Sequence, residues 1–551
     1  MSTNKNFDRI AALVTALGLL LTLLFMNGEA LGVQKIIDED AEQYETASLF
    51  TANDLDGDWD ASDPTATITL TGDDATIRGN GAYYNDGSVV ITGAGKYVFS
   101  GTLTDGNIVV DAYDSSKVFI LLNGVELYCS DDACLRVDQA DKVFLTLSTG
   151  TENRFESGET YSQTALNDNT GGTIFTHDDL TINGGGSLEI VANYKHGIDA
   201  NDDLVIAGGT ITVTAPSDGM HVNDSFRMCA ASLTIEAGDD AIHSDTDIYI
   251  ESGTLLITGC YEGLEALRIE VAGGDLTIYP SDDAFNANGG SSGFGGGGGS
   301  GDMGGHGGPS DSSDSGERPT RPEGFDGTIP EGTEMPDMGE MTSPDGEMPD
   351  MSGAADTADS GSEDEEAYVR ISGGNILIVN ENAQDADGID SNGSVYITGG
   401  TILVSLNGNG SNNAIDYGSE NGGVAEISGG TVIACGGSAM AESFDESSEQ
   451  PSIAYTGSVA SGSTVALCKA DGSTLLEWQV PCGFTYLLLS CPEMTAGETY
   501  TLQLGDTTEE FTLENVVTTL GSSSGFGGMG SMGGMGSGNH GGFPGGQRSN
   551  G

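Results

Sequence analysis

Basic side chains are scarce: 17 Lys and Arg stand against 85 Asp and Glu in 551 residues, a formal charge of −68 at pH 7. That excludes a nucleic-acid binder held by a basic surface. Aromatic residues make up 7%, with two tryptophans. Beyond the N-terminus the apolar residues come in bursts of three or four, too short for membrane spans or a helical bundle. The 8 cysteines include no C-x-x-C pair for a zinc ribbon and are too sparse for a disulfide scaffold. Cys129 and Cys134 are close enough to close one small loop; the other six give no unique connectivity, and buried thiols are an equal reading. What abounds is glycine, 86 residues, and a β-rich architecture with many tight turns remains. One or two folded domains are expected at this length.

Lys5 and Arg9 precede an apolar run from Ile10 to Met26 and small or polar residues to Gly32. Residues 1–32 read as a secretory signal peptide. An uncleaved anchor is the alternative, the run being long enough to cross a bilayer, so membrane contact is expected only there. Either way the chain is expected outside the cell, secreted or at its surface. Two stretches cannot build a core: 289–366, glycine-rich and then acidic with repeated Met, and 521–551, rich in Gly, Ser and Met. Both read as disordered. Spaced methionines are soft copper ligands in principle, but a flexible acidic tract does not preorganise them.

Self-similarity emerges on aligning one apolar residue, which recurs as Ile198, Met220, Ile242, Leu264 and Phe285, spaced 22, 22, 22 and 21, and returns after the insertion as Ile389 and Ile415, spaced 26. A period near 20–25 residues without a helix signal marks a parallel β-solenoid. Each unit carries three apolar bursts, as in Ile198, Leu204 to Ile206 and Ile211 to Val213, which predicts three strands per coil and three sheets around one core. Gly-Gly pairs at 208–209, 273–274, 373–374, 399–400 and 429–430 supply corners. The solenoid is expected over 49–288 and 367–451, and a small antiparallel β cap over 452–520.

The alignment also lines up polar residues. Two positions before the anchor stand His196, Asp218, Asp240, Glu262, Asp283, Asp387 and Asn413; one position after it stand Asp199, His221, His243, Glu265, Asn286, Asp390 and Asp416. Asp224, Asp239, Asp245 and Asp282 flank them. With coils ~4.8 Å apart, these form columns on the solenoid surface. Like charges 4 Å apart cost ~1 kcal/mol even in water. A divalent ion between two carboxylates would sit ~2.4 Å from each oxygen, the Ca²⁺–oxygen distance. Hard oxygen ligands without thiolate favour calcium over zinc or copper. Acids that merely solvate turns are the alternative, and His221 beside His243, flanked by Asp199 and Glu265, offers a transition-metal alternative.

The strings VVITGAGKYVFSGTLTDGNIVVDA, FILLNGVEL, LSTGTENRF, HDDLTINGGGSLEI, HGIDANDDLVIAGGTITV, ISGGNILIVNENAQDADGIDSNGSVYITGGTILVS and CPEMTAGETYTL, with the insertion between them, cover most of Gly72 to Leu504. In their order they resemble exported carbohydrate-binding domain-containing proteins of anaerobic cellulolytic bacteria. The resemblance implies a right-handed parallel β-helix, bound calcium, distant similarity to pectate lyases, and binding of cellulose or acidic plant polysaccharide. His221 and His243 depart from the family's usual D-G-I-K or G-I-R, and Ala241 and Ala284 replace the glycine before the anchor.

A lyase would need calcium to acidify the uronate α-proton and a base to remove it. Lys195 is the best placed, with Arg268 and Arg227 on the following strand. The favoured reading is a binding protein rather than an enzyme: a chain of this charge would hold a polyuronate through bridging calcium. A neutral glucan would instead need aromatic platforms from Tyr194, Phe226, Tyr249, Tyr261, Tyr417, Trp59 or Trp478. A surface adhesin or spacer without a sugar ligand is the third class.

Overall fold

In a computed structural model the described residues are 49–288, 367–382 and 386–521. The N-terminal segment 1–32, the insertion 289–366 and the tail beyond Gly521 lie outside them. The chain divides into Met1–Ala52 and Asn53–Gly551; of the first, only 49–52 are described. The second is all-β among the described residues, apart from one short helix, Gln163–Asn167, and a 3₁₀ turn, Ser419–Asn421.

The repeat folds as three parallel ladders. The anchors pair in register, Ile198 with Met220, then Ile242, Leu264 and Phe285. A second ladder runs Leu204, Phe226, Ile248, Ile269, Val369, Val395 and Ala425. A third runs Ile211, Leu233, Leu255, Leu276, Ile376, Ile402 and Val432. The last two cross the insertion without losing register. Alternation directs the burial: in Thr210–Ala215, Ile211, Val213 and Ala215 are buried while the three threonines are exposed, because successive side chains point to opposite faces. Each buried Ile, Leu or Val contributes about 1.5–3 kcal/mol, and neighbouring coils repeat it.

The hydrogen-bonded sheets number fewer than three around the coils. The long strand Lys117–Cys129 pairs with Lys142–Leu147 through its first half and with Glu152–Ser157 through its second. This fuses the second and third ladders into one 25-stranded sheet beside the 11-stranded sheet of anchors. The anchor ladder also starts earlier than the regular spacing reveals, since Ile198 pairs with Ile174 and Ile174 with Leu135. The helix Gln163–Asn167 lies between those two coils and breaks the period.

The glycine pairs do two jobs at the corner. The second glycine has positive φ, as at Gly374, Gly400 and Gly430, each +88°, which side-chain-bearing residues avoid. The first has the preceding coil against it: a Cβ on Gly399 would lie 2.2 Å from the Ser372 carbonyl oxygen.

At the C-terminal end, Thr464–Lys469, Thr474–Gln479, Thr499–Leu504 and Thr507–Thr512 form an antiparallel sheet. They share a separate apolar cluster with Phe484, Leu487 and Leu489. The end is not wholly antiparallel, because Ser452–Val459 pairs parallel with Val517–Gly521; Gly521 is therefore strand rather than tail. All eight cysteines are free thiols, Cys129 and Cys134 included, and only Cys468 is not buried.

Candidate metal centre

The polar columns are built by the main chain. The N–H before each anchor donates to the carbonyl of the pre-anchor residue one coil on: Gly197 to Asp218, Gly219 to Asp240, Ala241 to Glu262, Gly263 to Asp283, Ala284 to Asp387 and Gly388 to Asn413. The post-anchor column pairs in register as Asp199, His221, His243, Glu265, Asn286 and Asp390. Both columns are far less exposed than the sequence implied: Asp199, Asp218, Asp240, His243 and Asn286 are buried. Their side chains crowd the rim of the sheet rather than point into solvent, so each charge must be met locally.

The histidines divide the acids into separate groups. His196, His221 and His243 stack, with ring centroids 4.6 and 4.8 Å apart. Asp218 Oδ2 lies 3.1 Å from His196 Nδ1 and 2.8 Å from His221 Nδ1. Burial opposes its charge, but the two imidazoles outweigh that and hold its carboxyl well below the usual range. His243 is engaged on both sides, Nδ1 to Glu265 Oε2 at 2.6 Å and Nε2 to Asp245 Oδ1 at 3.1 Å. Burial disfavours the imidazolium, yet the neighbouring carboxylates of Asp240 and Glu265 raise its pKa to about 11. Asp240 is pushed up by burial and Glu265 is held down by His243. Asp239 joins Asp218 and Asp240 with ligand atoms within 4.8 Å of one another. Burial raises Asp199, which the nearby histidines partly offset.

Further along, no histidine compensates. Glu262 accepts from Asn286 Nδ2 at 2.7 Å, and burial followed by the Glu265 and Asp240 charges raises its pKa to about 9. Asp283 accepts from the Asp387 N–H at 2.6 Å and Asp387 from the Asn413 N–H at 2.7 Å. Asp387, Asp390 and Asp416 bring carboxylate oxygens within 4.8 Å of one another. Burial and then neighbouring acids raise Asp387 and bring Asp390 to about 7.

This last group fits a hard cation. Asn286 Oδ1, Asn413 Oδ1 and Glu442 Oε2 are buried oxygens without a hydrogen-bond donor. Asn286 pairs in register with Asp390, Asn413 Nδ2 reaches Asp416, and burial, with the Asp416 charge adding to it, raises Glu442. Buried acceptors rarely stay orphaned, and an all-oxygen set is what calcium takes.

Six of the expected ligands, Asp199, Asp224, Asp245, Glu262, Asp282 and Asp283, fall outside the clusters whose ligand atoms lie within 4.8 Å of one another. Asp224 is exposed, its carbonyl accepting from Ser244 and Thr246; Asp282 is bonded by the Tyr261 hydroxyl. Of the basic residues, Arg268 grips Asp247 with two nitrogens, at 2.5 and 3.0 Å, and Arg227 holds Asp203. The Lys195 ammonium lies 5.8 Å over the Tyr194 ring. Phe226 and Trp59 are core residues, and Tyr194 stacks on Tyr161; Tyr261 and Tyr279, each 43% exposed, are open. Asp416 shares the column register legible in the sequence, whereas Glu442 arrives from an irregular loop and has no sequence signal.

The described unit is thus an all-β protein of long parallel ladders with buried acids along one rim. Residues 85–297 match the model of a family described as carbohydrate-binding domain-containing protein, the family the strings resemble. A carbohydrate-binding domain-containing protein of Acetivibrio thermocellus is 36% identical over 137 residues, 25% of this chain and 48% of that protein. The chain therefore spans about half the length of that curated relative. A solved structure, described as that of the polysaccharide lyase-like protein from C. thermocellum, gadolinium derivative, is 29% identical and covers 41% of this chain and 86% of that one, with a TM-score of 0.34.

Proposed function

We propose that the protein is an exported, calcium-dependent binder of plant cell-wall polysaccharide, secreted or held at the cell surface. Its coils, 49–288 and 367–451, would form a right-handed parallel β-helix closed by the 452–520 region. Three in-register ladders and the positive-φ glycine corners support that architecture.

One observation carries the functional reading: Asp387, Asp390 and Asp416 converge beside buried oxygens that lack donors. Calcium there would supply the positive charge through which an acidic chain meets a polyuronate. Asp387, Asp390 and Asp416 would hold the ion, and Asn413 would orient Asp387 and Asp416 through its N–H and Nδ2. An acidic pectic polymer fits better than cellulose, because Phe226 and Trp59 are spent in the core. Arg268, tied to Asp247, is a poor base for β-elimination, so binding rather than lyase chemistry is the reading supported.

Pull-down on pectate, xylan and cellulose, with calcium and with chelator, tests this. Pectate retention that chelator abolishes is expected. Retention on cellulose unaffected by chelator would move the reading to Tyr261 and Tyr279, retention on none would leave a spacer or adhesin, and release of unsaturated sugar would make it an enzyme.

A further inference from the structure

Within the same column one group differs in kind from the oxygen cluster. His196, Asp218 and His221 place two imidazole nitrogens and one carboxylate oxygen within 4.8 Å of one another. We propose that these three residues form a site for a first-row transition ion such as zinc, separate from the calcium cluster.

Both Nδ1 atoms address the same oxygen, Asp218 Oδ2, at 3.1 and 2.8 Å. His196 Nδ1 is fully enclosed and no hydrogen bond satisfies it; the neutral ring with its proton on Nε2 would present a lone pair to the group. Zinc takes nitrogen at ~2.0–2.1 Å and carboxylate oxygen at ~2.0–2.2 Å, tetrahedrally, which sets donors about 3.4 Å apart. The observed nitrogen–oxygen separations of 3.1 and 2.8 Å would open by about 0.3 and 0.6 Å to reach that spacing. The His221 side chain, 31% exposed, leaves an approach for the ion and a fourth position for water. Asp199 pairs in register with His221 and adds negative charge beside the group. Two imidazoles among three donors disfavour calcium, which takes oxygen.

The histidine pair involved is not the one adjacent columns first indicate. His243 has Nδ1 on Glu265 and Nε2 on Asp245, and its own group with Asp240 and Glu265 holds a single imidazole between carboxylates, a weaker set for a nitrogen-preferring ion. In the site, His196 takes its place.

Zinc alone, titrated calorimetrically into chelator-treated full-length protein, is the probe, and cobalt(II) absorption reports the ligand field. One equivalent is expected to bind to wild type and to His243→Gln. Affinity should fall about 100-fold or more in His221→Gln and in His196→Gln, and millimolar calcium should not displace the ion. Far-ultraviolet circular dichroism checks that each variant is folded; the partly exposed His221 makes its variant the safest. No zinc binding by wild type, equal binding by His221→Gln, or displacement by calcium would overturn the proposal. None of these results bears on Asp387, Asp390 and Asp416, so the calcium reading stands or falls separately.

Discussion

His243 and Glu265 are separated by 22 residues in sequence, yet Nδ1 and Oε2 meet at 2.6 Å across one rung of the stack. The ring is largely buried with Asp240 and Asp245 around it, so it acts as a fixed cation inside the protein. Removing one member of a buried pair leaves the other uncompensated, at a cost of about 3–5 kcal/mol. His243→Leu should therefore lose about that much stability at pH 7, measured by denaturant unfolding. The deficit should shrink in acid, where the carboxyls take up protons instead. A variant as stable as wild type at pH 7 would show the pair to be structurally idle.

The acids that lack a histidine predict the opposite of ordinary acid denaturation. Glu262, raised to about 9, and Asp390, raised to about 7, bind protons more tightly folded than unfolded. Their contribution to stability therefore falls as pH rises from about 4 through those values. His243, raised to about 11, acts in the same direction: its stabilisation is complete below its ordinary value and is lost as pH rises through about 11. Asp218 and Glu265, both lowered, stabilise above their ordinary range and lose that effect as pH falls. In chelator the melting temperature should peak near about pH 5–6 and decline towards pH 9. Calcium should flatten the alkaline decline, and identical curves with and without it would count against a cation in the cluster.

Much of this architecture was legible from the spacing of single residues. Ile198, Met220, Ile242, Leu264 and Phe285 pair as their 22- and 21-residue separations require, because a parallel stack forces equal coil lengths. The anchors Leu135 and Ile174 do not stand out, although the solenoid is expected over 49–288, because the helix Gln163–Asn167 lengthens the coil between them. Register also placed the acids in columns, but not their partners. Periodicity says which residues share a rung, whereas rotamers decide that His221 turns to Asp218 and His243 to Glu265. Asp224 lies four residues past its anchor and falls on the turn, whereas Asp282 precedes Phe285 by the same three residues that separate Asp239 from Ile242, yet only Asp239 meets Asp218 and Asp240.

The cluster of Asp387, Asp390 and Asp416 gives a charge-specific prediction. Asp390→Asn keeps size and one oxygen but removes a charge, and calcium affinity follows ligand charge. Binding should weaken by about 10- to 100-fold in calorimetric titration, with Asp416→Asn similar. Asp224→Asn, outside the cluster, should bind as wild type. At 100 times its dissociation constant, calcium should add about 2.7 kcal/mol of stability to wild type. Equal affinity in all three variants would place calcium elsewhere.

Gly399 and Gly400 sit side by side at one corner and should fail for different reasons. Gly400 has φ +88°, a conformation that Asn tolerates and β-branched residues do not. Gly400→Asn should cost less than Gly400→Val, with a gap of about 1–2 kcal/mol. Gly399 has an ordinary φ, but its Cβ would meet the Ser372 carbonyl oxygen at 2.2 Å. Backbone cannot swing aside as a side chain can, so Gly399→Ala should cost about 3 kcal/mol or more, although alanine is the smallest possible addition. Denaturant midpoints of the three variants would separate the two mechanisms. A neutral Gly399→Ala would mean that the coils are further apart at this corner than their hydrogen bonds imply.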